Sequence, residues 1–143
     1  MVIDLDSPTG PTVNTTASSS GTISVKTKVP VTTNGLHTVL AVGSSDRNTA
    51  HASYRVAASL DLSPTSVRAG GTLHTSLTGF DAHQTVTLRL RSPTGTALAQ
   101  VTTGAKGQAS TSVKVPTGAT PGNNRIYAVT AGGPRTSASL LIR

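Results

Sequence analysis

Apolar and polar residues alternate along most of the chain with a period of two. Residues 22–29 show it most clearly: Ile23, Val25, Thr27 and Val29 fall on one side, Ser24, Lys26 and Lys28 on the other. This period puts successive side chains on opposite faces of a half-buried strand. Ile3-Asp4-Leu5-Asp6 has the same pattern, and Ser7-Pro8-Thr9-Gly10 predicts the turn that ends it. Residues 12–17 read as a weaker strand and 18–21 as its turn. After a loop at 30–35, residues 36–42 are apolar on both faces, as in a central strand covered on two sides. A turn over 43–48 and a strand over 50–56 close the first half, giving about five strands.

The second half continues the pattern with a strand over 58–67 that carries Leu60, Leu62 and Val67. Ser63-Pro64 interrupts it, and a proline confines such a segment to a sheet edge or a break between sheets. Further strands are expected over 72–80, 85–91, 97–102, 109–115, 125–131 and 137–142. Seven short strands at turn-punctuated spacings of about 8–12 residues are the pattern of an immunoglobulin-like sandwich.

The two halves are copies. Ser-Pro-Thr-Gly occurs at Ser7 and again at Ser92, an offset of 85, while Gly21 matches Gly107 and Val29-Pro30 matches Val115-Pro116 at 86. A repeat of this length in 143 residues allows one whole unit and part of another. The expected fold is all-β: tandem immunoglobulin-like β-sandwiches, with 1–57 a partial unit lacking its first two strands and 58–143 a complete seven-stranded one. If Ile3 matches Leu88, residues 58–85 have no counterpart ahead of the first half. Its open edges are then prone to accept strands from elsewhere.

Composition agrees with strands. Ser and Thr crowd the polar positions, Glu is absent, and 14 Gly and 8 Pro supply punctuation. With 2% aromatic residues the core must be built from Val, Leu, Ile and Ala, so each unit's core is thin. The absence of cysteine excludes disulfides, thiolate metal sites and a cysteine nucleophile. No apolar run is long enough for a membrane-spanning helix and no secretory leader pattern opens the chain, which reads as an excised or processed piece of something longer.

The run SPTSVRAGGTLHTSLTGFDAHQTVTLRL, then a Gly-bounded strand, Val-Pro, a Pro-Gly loop and a Tyr-Ala-Val-Thr-Ala strand, resembles the immunoglobulin-like repeats of bacterial secreted and surface proteins. The resemblance covers 58–143 fully and 1–57 as a unit without its first two strands. It implies a non-enzymatic extracellular spacer, adhesion or accessory module. The chain departs from that pattern after the Pro-Gly, where His37 and Asn124 or Arg125 stand in place of an aromatic residue.

Candidate chemistry is sparse. His37, His51, His74 and His83 show no metal-ligand spacing with a carboxylate, and Asp46-Arg47-Asn48 offers too few oxygens for calcium, so no cofactor or metal is expected. There is no Gly-x-Ser-x-Gly elbow, and the only close carboxylate pair, Asp4 and Asp6, lies on one strand face about 7 Å apart by strand rise. Gly70-Gly71 and Gly132-Gly133 read as turns, because no helix follows to bind a phosphate. Asn14-Thr15-Thr16 is a glycosylation acceptor pattern that chance explains in a Thr-rich chain. An enzyme is not expected.

Charge is the remaining signal. Residues 1–57 hold four basic and three acidic side chains, residues 58–143 eight and two, so nearly all of the net +7 sits in the second half. A basic surface suits an anionic cell-wall polymer or polysaccharide. Without aromatic residues to stack bases, specific nucleic-acid recognition is not expected. Overlaying the copies pairs Asp4 and Asp6 with Arg89 and Arg91, an inversion of sign at matching positions. That suggests a head-to-tail contact that builds a homo-oligomer or filament. The second expectation, from a different class, is a carbohydrate-binding accessory domain of a secreted hydrolase. Only Tyr54, Phe80 and Tyr127 could serve as its aromatic platforms.

Overall fold

The computed structural model describes residues 1–5, 12–45 and 47–143. Among them every regular element is a strand and there is no helix. The chain divides into two compact units, one of residues 1–30 and 35–56, the other of residues 31–34 and 57–143.

The first unit is a single antiparallel sheet of β1 (Val2–Leu5), β2 (Thr12–Asn14), β3 (Gly35–Val42) and β4 (Thr49–Val56), in the order β2-β1-β3-β4. The turn between β3 and β4 is closed by the Gly43 N–H donating to the Asn48 carbonyl at 2.8 Å. The turn expected at Ser7-Pro8-Thr9-Gly10 lies outside the described residues, as do Asp6 and Asp46. Leu5 is the one fully buried apolar side chain of this unit among the described residues. Ile3, Val39, Ala41, Tyr54 and Val56, on the same face by register, are half-buried.

The second unit holds β5 (Ser59–Ser63), β6 (Ser66–Val67), β7 (Thr72–Thr78), β8 (Thr85–Leu90), β9 (Ala97–Thr102), β10 (Ala109–Lys114), β11 (Gly122–Val129) and β12 (Thr136–Ile142). They form a three-stranded sheet, β10-β7-β5, and a five-stranded sheet, β6-β12-β11-β8-β9. The unit therefore has eight strands, where the sequence predicts seven. The strand expected over 58–67 is two: β5 pairs antiparallel with β7, and β6 pairs parallel with β12 in the other sheet. Pro64 falls between them; lacking an N–H, it cannot continue a ladder, and the chain changes sheets there.

Alternation aims one face of each sheet at a common core. Leu60, Leu73, Leu77 and Val113 come from the small sheet, and Val86, Leu88, Leu90, Ile126, Ala128, Leu140 and Ile142 from the large one. Phe80 and Val115, both completely buried, lie just past the ends of β7 and β10. Buried hydroxyls are satisfied, as their desolvation requires. Thr103 Oγ1 donates to the Asp81 carbonyl at 2.6 Å and accepts the Gln84 N–H at 2.9 Å, Thr75 Oγ1 donates to the Thr111 carbonyl, and Thr130 Oγ1 donates to the Pro134 carbonyl.

The sequence repeat is a repeat of sheet order and register. The order β2-β1-β3-β4 corresponds to β9-β8-β11-β12. Ile3 lies opposite Ala41 as Leu88 lies opposite Ala128, Leu5 opposite Val39 as Leu90 opposite Ile126, and Gly35 opposite Val56 as Gly122 opposite Ile142. Gly35 and Gly122 share an unusual backbone, with φ of 113° and 116°. The turn before the unit's next segment is copied bond for bond. Gly21 N–H donates to Ser18 O at 2.9 Å and Ser18 N–H to Thr22 O at 2.9 Å; Gly107 N–H donates to Gly104 O at 3.0 Å and Gly104 N–H to Gln108 O at 2.8 Å.

One expectation fails. Residues 22–29, the most regular alternation in the chain, form no strand. Their counterpart in the second unit is β10, whose ladder partner is β7. The first unit contains no counterpart of β5 or β7 among the described residues. Alternation specifies which face a strand would bury, but a strand needs a partner for its backbone groups, and among the described residues none pairs with this segment. Val29 is accordingly 54% exposed, whereas its equivalent Val115 is 0% exposed. Residues 12–17 likewise contract to β2, which ends at Asn14.

Candidate functional site

Two surfaces stand out, one in each unit. In the first unit it is the unpaired segment after the Ser18–Gly21 turn. Thr22 is held by that turn, its N–H donating to Ser18 Oγ at 3.2 Å. From residue 23 to 29 the backbone takes no part in any ladder among the described residues. Val25 and Val29 are exposed beside Lys26 and Lys28.

In the second unit it is an open groove of mixed lining, with Arg91, Thr120, Asn123, Asn124, Arg125 and Ser139 beside Pro121, Leu140 and Leu141. Arg91 follows the end of β8 with a φ of 74°, and its N–H donates to the Arg125 carbonyl at 2.8 Å. Its Nε donates to Asn124 Oδ1 at 3.1 Å, and Asn124 is itself fixed by Nδ2 donating to the carbonyls of Thr120 and Gly122. Arg125 Nη1 donates to Ser137 Oγ at 2.7 Å. No carboxylate among the described residues lines the groove. Arginine's guanidinium presents five N–H donors, the chemistry that suits carboxylate, sulfate or phosphate oxygens.

The residues singled out by charge inversion are placed as follows. Asp4 and Arg89 occupy equivalent positions, one residue after Ile3 and Leu88 in the shared register. The Oδ1 of Asp4 is buried and has no hydrogen-bond partner among the described residues. Asp6 lies outside the described residues. Arg89 is half-buried with Nη1 donating to the Gly95 carbonyl at 2.8 Å, whereas Arg91 lies beyond the strand and faces the groove.

Ser112 Oγ and His74 Nδ1, 2.9 Å apart, come together on the solvent face of β10 and β7. Sequence spacing had no means of pairing them, since 38 residues separate them and only the ladder register sets them opposite. The pair is exposed, and no acid among the described residues is hydrogen-bonded to the imidazole to orient it. A nucleophile–base pair acquires reactivity through such an orienting group and an oxyanion site. No group of three metal-binding side chains occurs among the described residues. Of the aromatic residues, Phe80 is completely buried and Tyr54 stacks on His37 with ring centroids 5.4 Å apart. Among the described residues no helix is long and apolar enough to cross a membrane.

No protein-family model matches the chain, and no curated sequence matches it. Among solved structures, a β-glucosidase from Listeria innocua in complex with isofagomine aligns with a TM-score of 0.39 at 14% identity, and the same enzyme with glucose at 0.37 and 13%. The alignments cover 64% of this chain and 16% of the enzyme's. At that level they bear on neither function nor activity.

Proposed function

We propose that the chain is a non-enzymatic structural or interaction module, a stretch of tandem immunoglobulin-like repeats from an extracellular or cell-surface protein. The observation that carries this reading is the duplication of sheet order, register and turn hydrogen bonds between the two units. Repeats that copy a whole packing unit build length and surface, each unit burying its own core. The second unit supports the immunoglobulin-like assignment through its two facing sheets and through an opening strand that divides between them. Residues 23–29, which join no ladder among the described residues, are the joint through which a homo-oligomer or filament grows. The basic second unit lies against anionic wall polymer or polysaccharide through the Arg91–Arg125 groove.

The test is a glycan and wall-polymer array run with light scattering. The module reading expects salt-sensitive retention on anionic polymers alone. Saturable retention of neutral oligosaccharides would replace it with the accessory domain of a secreted hydrolase.

A further inference from the structure

We propose that the outer face of the five-stranded sheet binds an acidic sugar, its ring stacked on Tyr127 and its carboxylate or phosphate held by Arg125 and Arg89. The proposal rests on reading the second unit as a module for anionic polymer. It adds the residue that recognises the ring and the row of side chains that sets the ring beside the charge.

Alternation places the site. Ile126 and Ala128 are fully buried on the inner face of β11, so Arg125 and Tyr127 point outward. The ladders set Arg89 of β8 and Ser137 of β12 directly opposite Tyr127, one on each side, and Ser139 opposite Arg125. Opposed side chains start about 4.5–5.5 Å apart. Arg125 is drawn into the Tyr127 row, because its Nη1 donates to Ser137 Oγ at 2.7 Å. The tyrosine is thus flanked by two arginines, Arg125 exposed and Arg89 half-buried. No strand of this sheet carries an acidic residue: Asp61 is on β5 and Asp81 follows β7.

The chemistry of the row selects the ligand. A phenol ring offers a flat apolar face to the C–H side of a sugar ring, and a guanidinium fork matches a carboxylate or phosphate. Ser137, Ser139 and Asn123 add hydroxyl and amide groups for sugar hydroxyls. Single-stranded nucleic acid also combines rings with oxyanions, but successive bases need successive platforms. Tyr127 is the one aromatic residue in the strands of this sheet.

The duplication supplies an internal comparison. In the first copy the same row across β1, β3 and β4 is Asp4, Leu40 and His51. Thr38 takes the place of Arg125. The residues beside the row stay apolar in both copies, Ile3 and Leu88, Leu5 and Leu90, Ala41 and Ala128. The ladder is therefore built without the tyrosine or the arginines, and only the second copy puts a ring and two cations together.

The experiment is calorimetric titration of the full chain with tetragalacturonate, its fully methyl-esterified form, glucose 6-phosphate and a short oligothymidylate. Tetragalacturonate should bind at low salt, and its ester should bind about tenfold more weakly or less. Tyr127→Leu installs the first copy's residue and should weaken binding about fivefold at low and high salt alike. Arg125→Thr, likewise the first copy's residue, should weaken it about tenfold at low salt, an effect that fades at high salt. A second readout avoids altering the site: in Tyr54→Phe the chain keeps Tyr127 as its sole tyrosine and has no Trp, so its emission should change on binding.

Binding of tetragalacturonate or glucose 6-phosphate with these dependences supports the proposal, and the probe that binds identifies the oxyanion as carboxylate or phosphate. Failure of both to bind overturns it, as does equal binding of the ester or an unchanged Tyr127 emission at saturation. Tighter, Tyr127-dependent binding of oligothymidylate overturns it in favour of nucleic acid. Array retention on anionic polymers that survives Tyr127→Leu overturns this site and leaves the module reading standing. Tyr127-dependent binding of tetragalacturonate with no wall polymer retained does the reverse.

Discussion

Gly107 and Gly104 sit in one turn of the second unit, three residues apart, and the structure assigns them different fates on substitution by alanine. Gly107 has φ of 70°, and a Cβ built there would come within 1.9 Å of the Phe80 carbonyl oxygen, a backbone atom that cannot rotate away. The left-handed conformation alone costs an L-residue about 1–2 kcal/mol. The clash adds to this by pushing the turn from β7, where the Phe80 N–H donates to the Gly107 carbonyl at 3.1 Å. Losing that bond is worth about 1 kcal/mol. Together Gly107→Ala should cost about 3 kcal/mol and lower the melting temperature of the second unit by about 15 °C, at about 4–8 °C per kcal/mol for a domain of this size.

Gly104 has its nearest neighbour, the Gln108 carbonyl, at 3.7 Å and no positive φ. Gly104→Ala should therefore change stability by less than about 1 kcal/mol, and by restricting the unfolded chain it can even stabilise. The assay is thermal and urea unfolding of both variants against the parent. Equal shifts for the two, or a Gly107→Ala shift within about 2 °C, would show that the Phe80 contact does not constrain the turn.

Further outcomes are expected. Leu77→Ala, in the fully buried centre of β7, should cost about 2–5 kcal/mol, while Leu36→Ala, 67% exposed in the first unit, should stay within about 0.5 kcal/mol in urea unfolding. Thr103→Val keeps the shape but strands the Asp81 carbonyl and the Gln84 N–H, each at a cost of about 1–3 kcal/mol, so it should destabilise more than an exposed Thr→Val control such as Thr102→Val. Residues 58–143 expressed alone should unfold in one cooperative transition; a broad, non-cooperative melt would refute an independent core. Arg91→Ser with Arg125→Ser should elute from an anionic polysaccharide column at lower salt than the parent, and unchanged elution would remove the groove from that role.

The sequence by itself determined the strand class, most strand positions and the duplication, because these depend on local alternation, turn residues and spacing. Offsets of 85 and 86 between Ser7 and Ser92 and between Gly21 and Gly107 already align the two copies. The structure extends this to matching ladders and matching turn hydrogen bonds. Long-range pairing decided the rest. Residues 22–29 alternate as well as β10 does, yet only β10 is a strand, because β7 lies beside it. The partition of 58–67 between two sheets followed from where β7 and β12 offered edges on either side of Pro64.

The candidate surfaces were legible only in part for the same reason. Arg91 could be singled out from charge, but its hydrogen bond to Asn124, 33 residues away, required β11 to lie against β8. Asp4 and Arg89 are equivalent in register, as the overlay implies, while Arg91 leaves the strand through a left-handed backbone that alternation does not reveal. A side chain's face is written in its period; its neighbours are chosen by register between distant strands, and register is settled only when the whole sheet assembles.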